Sequence, residues 1–333
     1  MSVVSVSGDT WESQERHDRR SALHPATALR QTLLWASRRR TIKQLVSNAP
    51  VTSGLVRRFV AGEDTGGALD AARALTRKGL QVSLDHLGED TPDRAAAQAT
   101  VDVMQQLIGR LHDEGLTPTT EISMKLSALG QALDESMALE HAASVCEAAR
   151  SAGTTVTVDM EDHTTTDSTL RILSWLRADY PDTGAVMQAS LRRSLEDCRS
   201  LAHEGSRVRL CKGAYQEPSS VAWQTRSEVR SAYLRCLAVL IDGGAYPMVA
   251  THDPALIDAA RRMFNARSRN GHDHEFQMLY GIRPDEQLRL VAAGEKTRIY
   301  TPFGSQWYGY LMRRMAERPA NLALVLRAVA RSR

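Results

Sequence analysis

The sequence predicts an α/β protein, a distorted eight-fold (β/α) barrel with an N-terminal helical extension. Two observations carry that prediction. From residue 80 onward, short β-branched segments alternate eight times with amphipathic helical stretches, over about 240 residues, as such a barrel requires. Nearly every one of those segments also ends in charged or polar residues, where stability alone would place apolar ones. The rival architecture, an open doubly wound sheet, would normally carry G-x-G-x-x-G after its first strand, and this chain contains no G-x-G.

The expected strands are Leu80–Leu84, Thr120–Leu126, Thr154–Asp159, Ala185–Ala189, Val208–Cys211, Pro247–Thr251, Glu275–Leu279 and Arg298–Tyr300. Helical periodicity falls between them at Pro92–Glu114, Met137–Ser151, Leu191–His203, Ser219–Ile241 and Pro254–Arg267. Ahead of the first strand, Ala26–Ser47 and Gly67–Lys78 read as helices. The expected organisation is a polar, loosely packed leader at 1–25, a helical extension at 26–79 and the barrel at 80–333. Its last part, beyond Pro319, is a short apolar helix.

With 42 basic and 39 acidic residues the net charge is +3, which implies no pull toward nucleic acid. Four scattered cysteines without C-x-x-C suit a reducing cytoplasm and argue against a disulfide framework. No apolar run approaches membrane-spanning length, and the first 25 residues carry no signal-like apolar region. The expected location is cytoplasmic, with peripheral contact at the inner face of a membrane as the extension of that reading.

In such barrels chemistry sits at the C-terminal ends of the strands. Those ends here present Lys125, Asp159-Met160-Glu161-Asp162-His163, Gln188, Arg209 followed by Lys212-Gly213-Ala214-Tyr215, Thr251-His252-Asp253, Gln277 and Tyr300. Singly, each has a bland explanation: Lys125 can snorkel, His252 can be a satisfied core histidine, Asp159 can cap a helix. Gathered on one rim, they read as a ligand site. Gly213 and Ala214 permit close backbone approach to a bulky ligand, and Arg209 with Lys212 supplies the charge a phosphate-bearing cofactor needs. Near the C-terminus, Arg313 and Arg314 follow Tyr310 in an apolar segment, two planar donor forks suited to a small carboxylate.

A competing reading uses Asp159, Glu161, His163 and His252 as ligands of a metal-dependent barrel hydrolase. Four cations converging on the same mouth oppose it. The tract His272-Asp273-His274 precedes strand seven, on the opposite face, and receives no ligand role.

The segments M-K-L-S-A-L-G, V-D-M-E, M-Q-A-S, R-L-C-K-G-A-Y, V-A-T-H-D, E-F-Q-M-L-Y-G, R-I-Y-T-P-F-G and Y-L-M-R-R-M-A-E closely resemble those of the proline dehydrogenases, in order, across roughly residues 80–321. The resemblance implies non-covalent FAD and oxidation of L-proline to 1-pyrroline-5-carboxylate, with a quinone taking the electrons. It implies a carboxylate clamp of Lys125, Arg313 and Arg314, with Glu317 orienting one arginine. Asp159 and Arg209 fall by the reacting centre, and Tyr300 and Tyr310 wall the proline ring. Met160, Gln188, Lys212, Gly213, Ala214, Thr251, His252 and Gln277 fall at flavin contacts. Tyr300 favours proline over hydroxyproline, since hydroxyproline-preferring relatives carry a smaller residue there. Departures from the family pattern are Ser190, Gln216 and Asp253. The chain is too short to include the aldehyde dehydrogenase module of bifunctional relatives, which implies a separate 1-pyrroline-5-carboxylate dehydrogenase as partner.

Overall fold

The computed structural model describes residues 56–88, 91–267 and 273–317. The leader at 1–25, the helix expected at 26–47 and the closing helix expected after Pro319 lie outside the described residues. The chain divides into two compact units: Arg58–Ser305, and a second comprising 1–57 with 306–333.

The first unit holds eight strands: β1 (Gln81–His86), β2 (Thr120–Met124), β3 (Val156–Val158), β4 (Ala185–Gln188), β5 (Arg207–Cys211), β6 (Tyr246–Ala250), β7 (Glu275–Leu279) and β8 (Thr297–Phe303). Between and before them run α1 (Thr65–Thr76), α2 (Arg94–Asp113), α3 (Glu135–Ser151), α4 (Thr166–Asp179), α5 (Ser194–Leu201), α6 (Arg226–Asp242), α7 (Pro254–Ala266) and α8 (Pro284–Ala292). Helix α9 (Trp307–Glu317) belongs to the second unit.

The strands pair in parallel in the order β3-β2-β1-β8-β7-β6-β5-β4. The two ends of that order meet at Gly184, just before β4: its N–H donates to Val156 O at 2.8 Å and its carbonyl accepts from Val158 N at 2.9 Å. A Cβ there would lie 2.5 Å from Thr157 Oγ1, so the seam closes only around a glycine. The result is a nearly closed barrel, the expected fold.

Alternation sorts the side chains. Val82, Leu84, Ile122, Val158, Leu210, Val249, Phe276 and Ile299 belong to one apolar core together with helix residues such as Met104, Val145, Leu173 and Leu237. Burying one such side chain stabilises by roughly 1.5–3 kcal/mol. Their strand neighbours, Ser83, Asp85, Glu121, Ser123, Arg209, Glu275, Gln277 and Arg298, are equally buried but polar. They bond to one another across strands, which places them inside the barrel.

Several element boundaries differ from the sequence reading, among them the ends of β2, β3 and β8, and two of the differences bear on the site. Strand β1 continues two residues past Leu84, which brings Asp85 into register with Pro302 and His86 with Phe303. Helix α6 starts at Arg226 rather than Ser219, because Thr225 and Glu228 form a reciprocal capping box. The stretch before it turns instead, Val221 N donating to Pro218 O at 3.1 Å, and Ala222 makes an antiparallel bridge to Leu191.

Deepest in the interior, Glu121 faces three arginines: Arg207, Arg209 (3.4 Å) and Arg298 (3.8 Å). Arg298 also holds Glu275 through two contacts, 2.8 and 3.2 Å. An unpaired charge here would cost several kcal/mol, so each of these groups depends on the others. Burial works to raise the Glu121 carboxyl, but Arg298, Arg207 and Arg209 prevail and bring it down to about 2. Because the folded value lies below the usual carboxylate value of about 4.3, its stabilising contribution is present above that pH and lost as pH falls toward 2. Glu121→Gln is expected to lower the denaturation midpoint at neutral pH and to flatten its fall in acid. Parallel acid profiles for variant and parent would contradict this assignment.

Candidate active site

One hydrogen-bonded cluster occupies the end of the barrel where the strands terminate. Lys125 directly follows β2 and is 7% exposed, so it does not snorkel. Its Nζ contacts Asp85 Oδ1 at 2.5 Å, Tyr300 Oη at 3.3 Å and Asp159 Oδ2 at 3.4 Å. Asp159, one residue beyond β3, caps no helix: it accepts from Ser123 Oγ at 2.8 Å, Arg209 at 2.7 Å and Tyr300 Oη at 2.7 Å. Burial opposes its charge, but Lys125 and Arg209 outweigh burial and hold it below the usual carboxylate range. Tyr300 is pushed the other way by burial, Asp159 and Asp85, so its phenol keeps its proton and donates it.

Arg209 is the most constrained group. It donates to Gln277 Oε1 at 2.6 Å, to Ser123 Oγ and Asp159 Oδ1 through one terminal nitrogen, and to Ser83 Oγ at 3.1 Å through the other. Its guanidinium carbon lies 5.2 Å from the centroid of the Tyr300 ring. Gln277 in turn donates to Glu275 Oε1 at 2.5 Å. Both ends of the Gln277 amide are thereby engaged, and the residue acts as a strut that aims Arg209.

The remaining rim residues lie at the ends of β4 to β6. Gln188 donates to Glu161 O at 2.7 Å. Lys212 reaches Asp253 Oδ2 at 2.8 Å, and Arg230 reaches the same oxygen at 2.8 Å. Asp253 also caps α7 through Ala255 N at 3.1 Å. Its departure from the family pattern therefore has a physical role, since asparagine could cap but not ion-pair. Gly213 sits at φ +104°, and a Cβ there would meet Ser190 Oγ at 2.1 Å. Glycine is needed here for the turn and for Ser190, whatever ligand approaches. Ala214 follows it on the same loop, Thr251 Oγ1 accepts from Asp253 N at 3.2 Å, and Met160 packs into the apolar core.

The four side chains of the hydrolase reading do not converge. Asp159 is held by cations, Glu161 accepts from Ser127 Oγ at 2.6 Å, and His163 pairs with Glu217. His252 Nε2 accepts from Leu279 N at 2.9 Å, which takes the lone pair a metal would use. Among the described residues no group of three or more His, Cys, Asp or Glu is placed to hold a metal ion. His274, assigned no ligand role, stacks on Phe264 at 3.6 Å and contacts Glu295 at 3.1 Å; His272 lies outside the described residues.

Tyr310, Arg313, Arg314 and Glu317 fall on α9, in the second unit. The side chains of Arg313, Arg314 and Glu317 lie outside the described residues.

Comparison with known proteins shows the family. The family model described as "Proline dehydrogenase" matches residues 68–327. The chain belongs to the proline dehydrogenase family. It is 37% identical over 305 residues to the proline dehydrogenase of Deinococcus radiodurans, covering 90% of this chain and 97% of that one. It is 34% identical over 301 residues to proline dehydrogenase 1 of Bacillus subtilis, covering 90% and 99%. The crystal structure of proline utilization A (PutA) from Bdellovibrio bacteriovorus, inactivated by N-propargylglycine, superposes with a TM-score of 0.77 at 22% identity, covering 96% of this chain and 40% of that one. At that identity the likeness speaks to the fold. The enzyme is a proline dehydrogenase.

Sequence reasoning missed Asp85, Ser123 and Ser83. Asp85 was legible as the next inward position after Ser83, since residues two apart share a face. Gln277→Met is expected to leave Arg209 Nε and Glu275 each short of a partner, lowering stability by roughly 1–3 kcal/mol in denaturant titration. A loss of less than about 0.5 kcal/mol would show that the strut is dispensable.

Proposed function

We propose that this proline dehydrogenase uses non-covalently held FAD to oxidise L-proline to 1-pyrroline-5-carboxylate and passes the electrons to a quinone. The observation that carries the reading is the buried cluster of Lys125, Asp159, Arg209 and Tyr300 at the chemically competent end of the barrel. The donor set fits the cofactor. Lys212 and Arg230, side chains 41% and 50% exposed at the rim, offer the charge a diphosphate needs. Met160, Gln188, Arg209, Lys212, Gly213, Ala214, Thr251, His252 and Gln277 are assigned to hold it. Gln277 does so through Arg209.

When bound, FAD would supply a two-electron acceptor for the hydride that leaves the ring carbon next to the proline nitrogen. Lys125 fixes the substrate carboxylate; the family resemblance gives the same role to Arg313 and Arg314, with Glu317 orienting one of those arginines. Charge-assisted contacts of this kind contribute roughly 1.5–3 kcal/mol each, enough to hold the ring in one orientation. Tyr300 covers the ring and excludes water, braced for that role by Asp159 and Lys125, and the family resemblance gives Tyr310 the same part. Arg209, locked on several sides, presents fixed positive charge where electron density arrives, at no cost of reorganisation.

No helix among the described residues is long and apolar enough to cross a membrane. A cytoplasmic enzyme that touches the inner face of a membrane to reach its quinone is consistent with that. A separate 1-pyrroline-5-carboxylate dehydrogenase consumes the product.

The test is an absorption spectrum. The purified protein, supplied with FAD, is expected to show oxidised flavin bands that bleach on anaerobic addition of L-proline. Protein that takes up no FAD, or flavin bands indifferent to proline, would contradict the reading.

A further inference from the structure

Asp85 stands at the centre of the cluster. It is 1% exposed, and its Oδ1 lies 2.5 Å from Lys125 Nζ, closer than Tyr300 Oη or Asp159 Oδ2. Its other oxygen, Oδ2, is buried and makes no hydrogen bond. A buried carboxylate oxygen without a donor is expensive, and a proton on it removes the charge that makes it so.

The charges around it are closely matched. Among the described residues, ion pairs in the barrel interior join Asp85, Glu121, Asp159 and Glu275 to Lys125, Arg207, Arg209 and Arg298, four carboxylates against four cations. Lys125 is already neutralised before any ligand arrives. An anionic carboxylate brought against it adds a negative charge beside Asp85 and Asp159, both already in contact with Lys125, and that repulsion is relieved when one of the two acids takes up a proton.

We propose that Asp85 is the group that takes it: seating a substrate carboxylate against Lys125 is coupled to protonation of Asp85 at Oδ2. This inference rests on the carboxylate-binding reading of Lys125 given above. Asp85 is thereby a positioning residue, which frees the Lys125 charge for the substrate by surrendering its own. The proton balance closes without another reactant. An amino acid enters as a zwitterion, its ammonium must shed one proton before hydride can leave the adjacent carbon, and the site gains one acceptor for it. For an anion without an amine the proton comes from solvent.

The surroundings select Asp85 over its neighbours. Burial and nearby Asp159 favour its neutral form, against the pull of Lys125 and Tyr300. Asp159 is the opposite case, held ionised by Lys125 and Arg209 against burial. Two carboxylates driven apart in this way divide the acid and base roles between them. Tyr300 keeps its proton and already directs it to Asp159, and burial and Lys125 favour the neutral form of His86, the next residue along β1.

The experiment is calorimetric titration of the FAD-loaded enzyme with cyclopentanecarboxylate, which keeps the five-membered ring and the carboxylate and lacks the amine. Titrations in two buffers of different ionisation enthalpy count the protons exchanged, across about pH 6 to 9. The wild-type protein is expected to take up about one proton, its Kd weakening up to tenfold per pH unit where Asp85 is ionised in the free enzyme. Asp85→Asn keeps an acceptor for Lys125 but has no proton to gain. It is expected to bind with no uptake and a Kd constant within about twofold over the same range. Asp85→Glu should restore the uptake. Binding by the wild type without proton uptake anywhere in that range, or equal uptake by Asp85→Asn, would overturn the proposal and leave the carboxylate site intact. Absence of any binding would overturn both together.

Discussion

The two-point contact between Arg298 and Glu275, shared with Glu121, is the constraint on which the rest of the barrel depends. An eight-stranded parallel barrel ordinarily fills its interior with branched apolar side chains. Here the inward positions carry charge, and the barrel is held only if every buried cation faces a buried anion. Adjacent strands therefore cannot drift independently. Shifting β7 by one residue would turn Glu275 and Gln277 outward, depriving Arg298 of its two-point partner and Arg209 of the Gln277 acceptor. The same requirement that closes the barrel thus fixes Arg209, and through it Asp159, Tyr300 and Lys125.

That arrangement explains how a site can be both charged and rigid. Each guanidinium and carboxylate is desolvated once, on folding, rather than at every encounter with substrate. What remains for binding is a small set of groups with spare capacity: Asp85 Oδ2 inside, and the half-exposed Lys212 and Arg230 at the rim. Asp253 joins the latter two, and it lies just before α7, so the rim charges rest on the helix cap.

Much of the fold was legible in the sequence, because the outward faces of the strands are apolar at every second position and the helices between them keep their period. The strand count followed from that alone. Boundaries set by local hydrogen bonding were less visible. The start of α6 depends on Thr225 meeting Glu228, a pattern present in the sequence but overshadowed by the polar residues before it. Strand β1 was cut short at Leu84 because aspartate and histidine are poor strand formers, and its ladder to β8 overrides that preference. That error concealed Asp85. Gln277 was expected against a flavin, and its amide proves to be spoken for by Arg209 and Glu275, partners far off in sequence. Glu121 and Arg298 carried no signal as a pair, since nothing in a linear chain announces which charges will share an interior.

The most direct test of this account is a double-mutant cycle on Arg298 and Glu275, read as unfolding free energy. Arg298→Met and Glu275→Met each leave one buried charge uncompensated, whereas the double variant restores neutrality. If charge balance holds the barrel, the double variant loses less stability than the sum of the singles, by at least about 2 kcal/mol. Losses that add to within about 0.5 kcal/mol would contradict it.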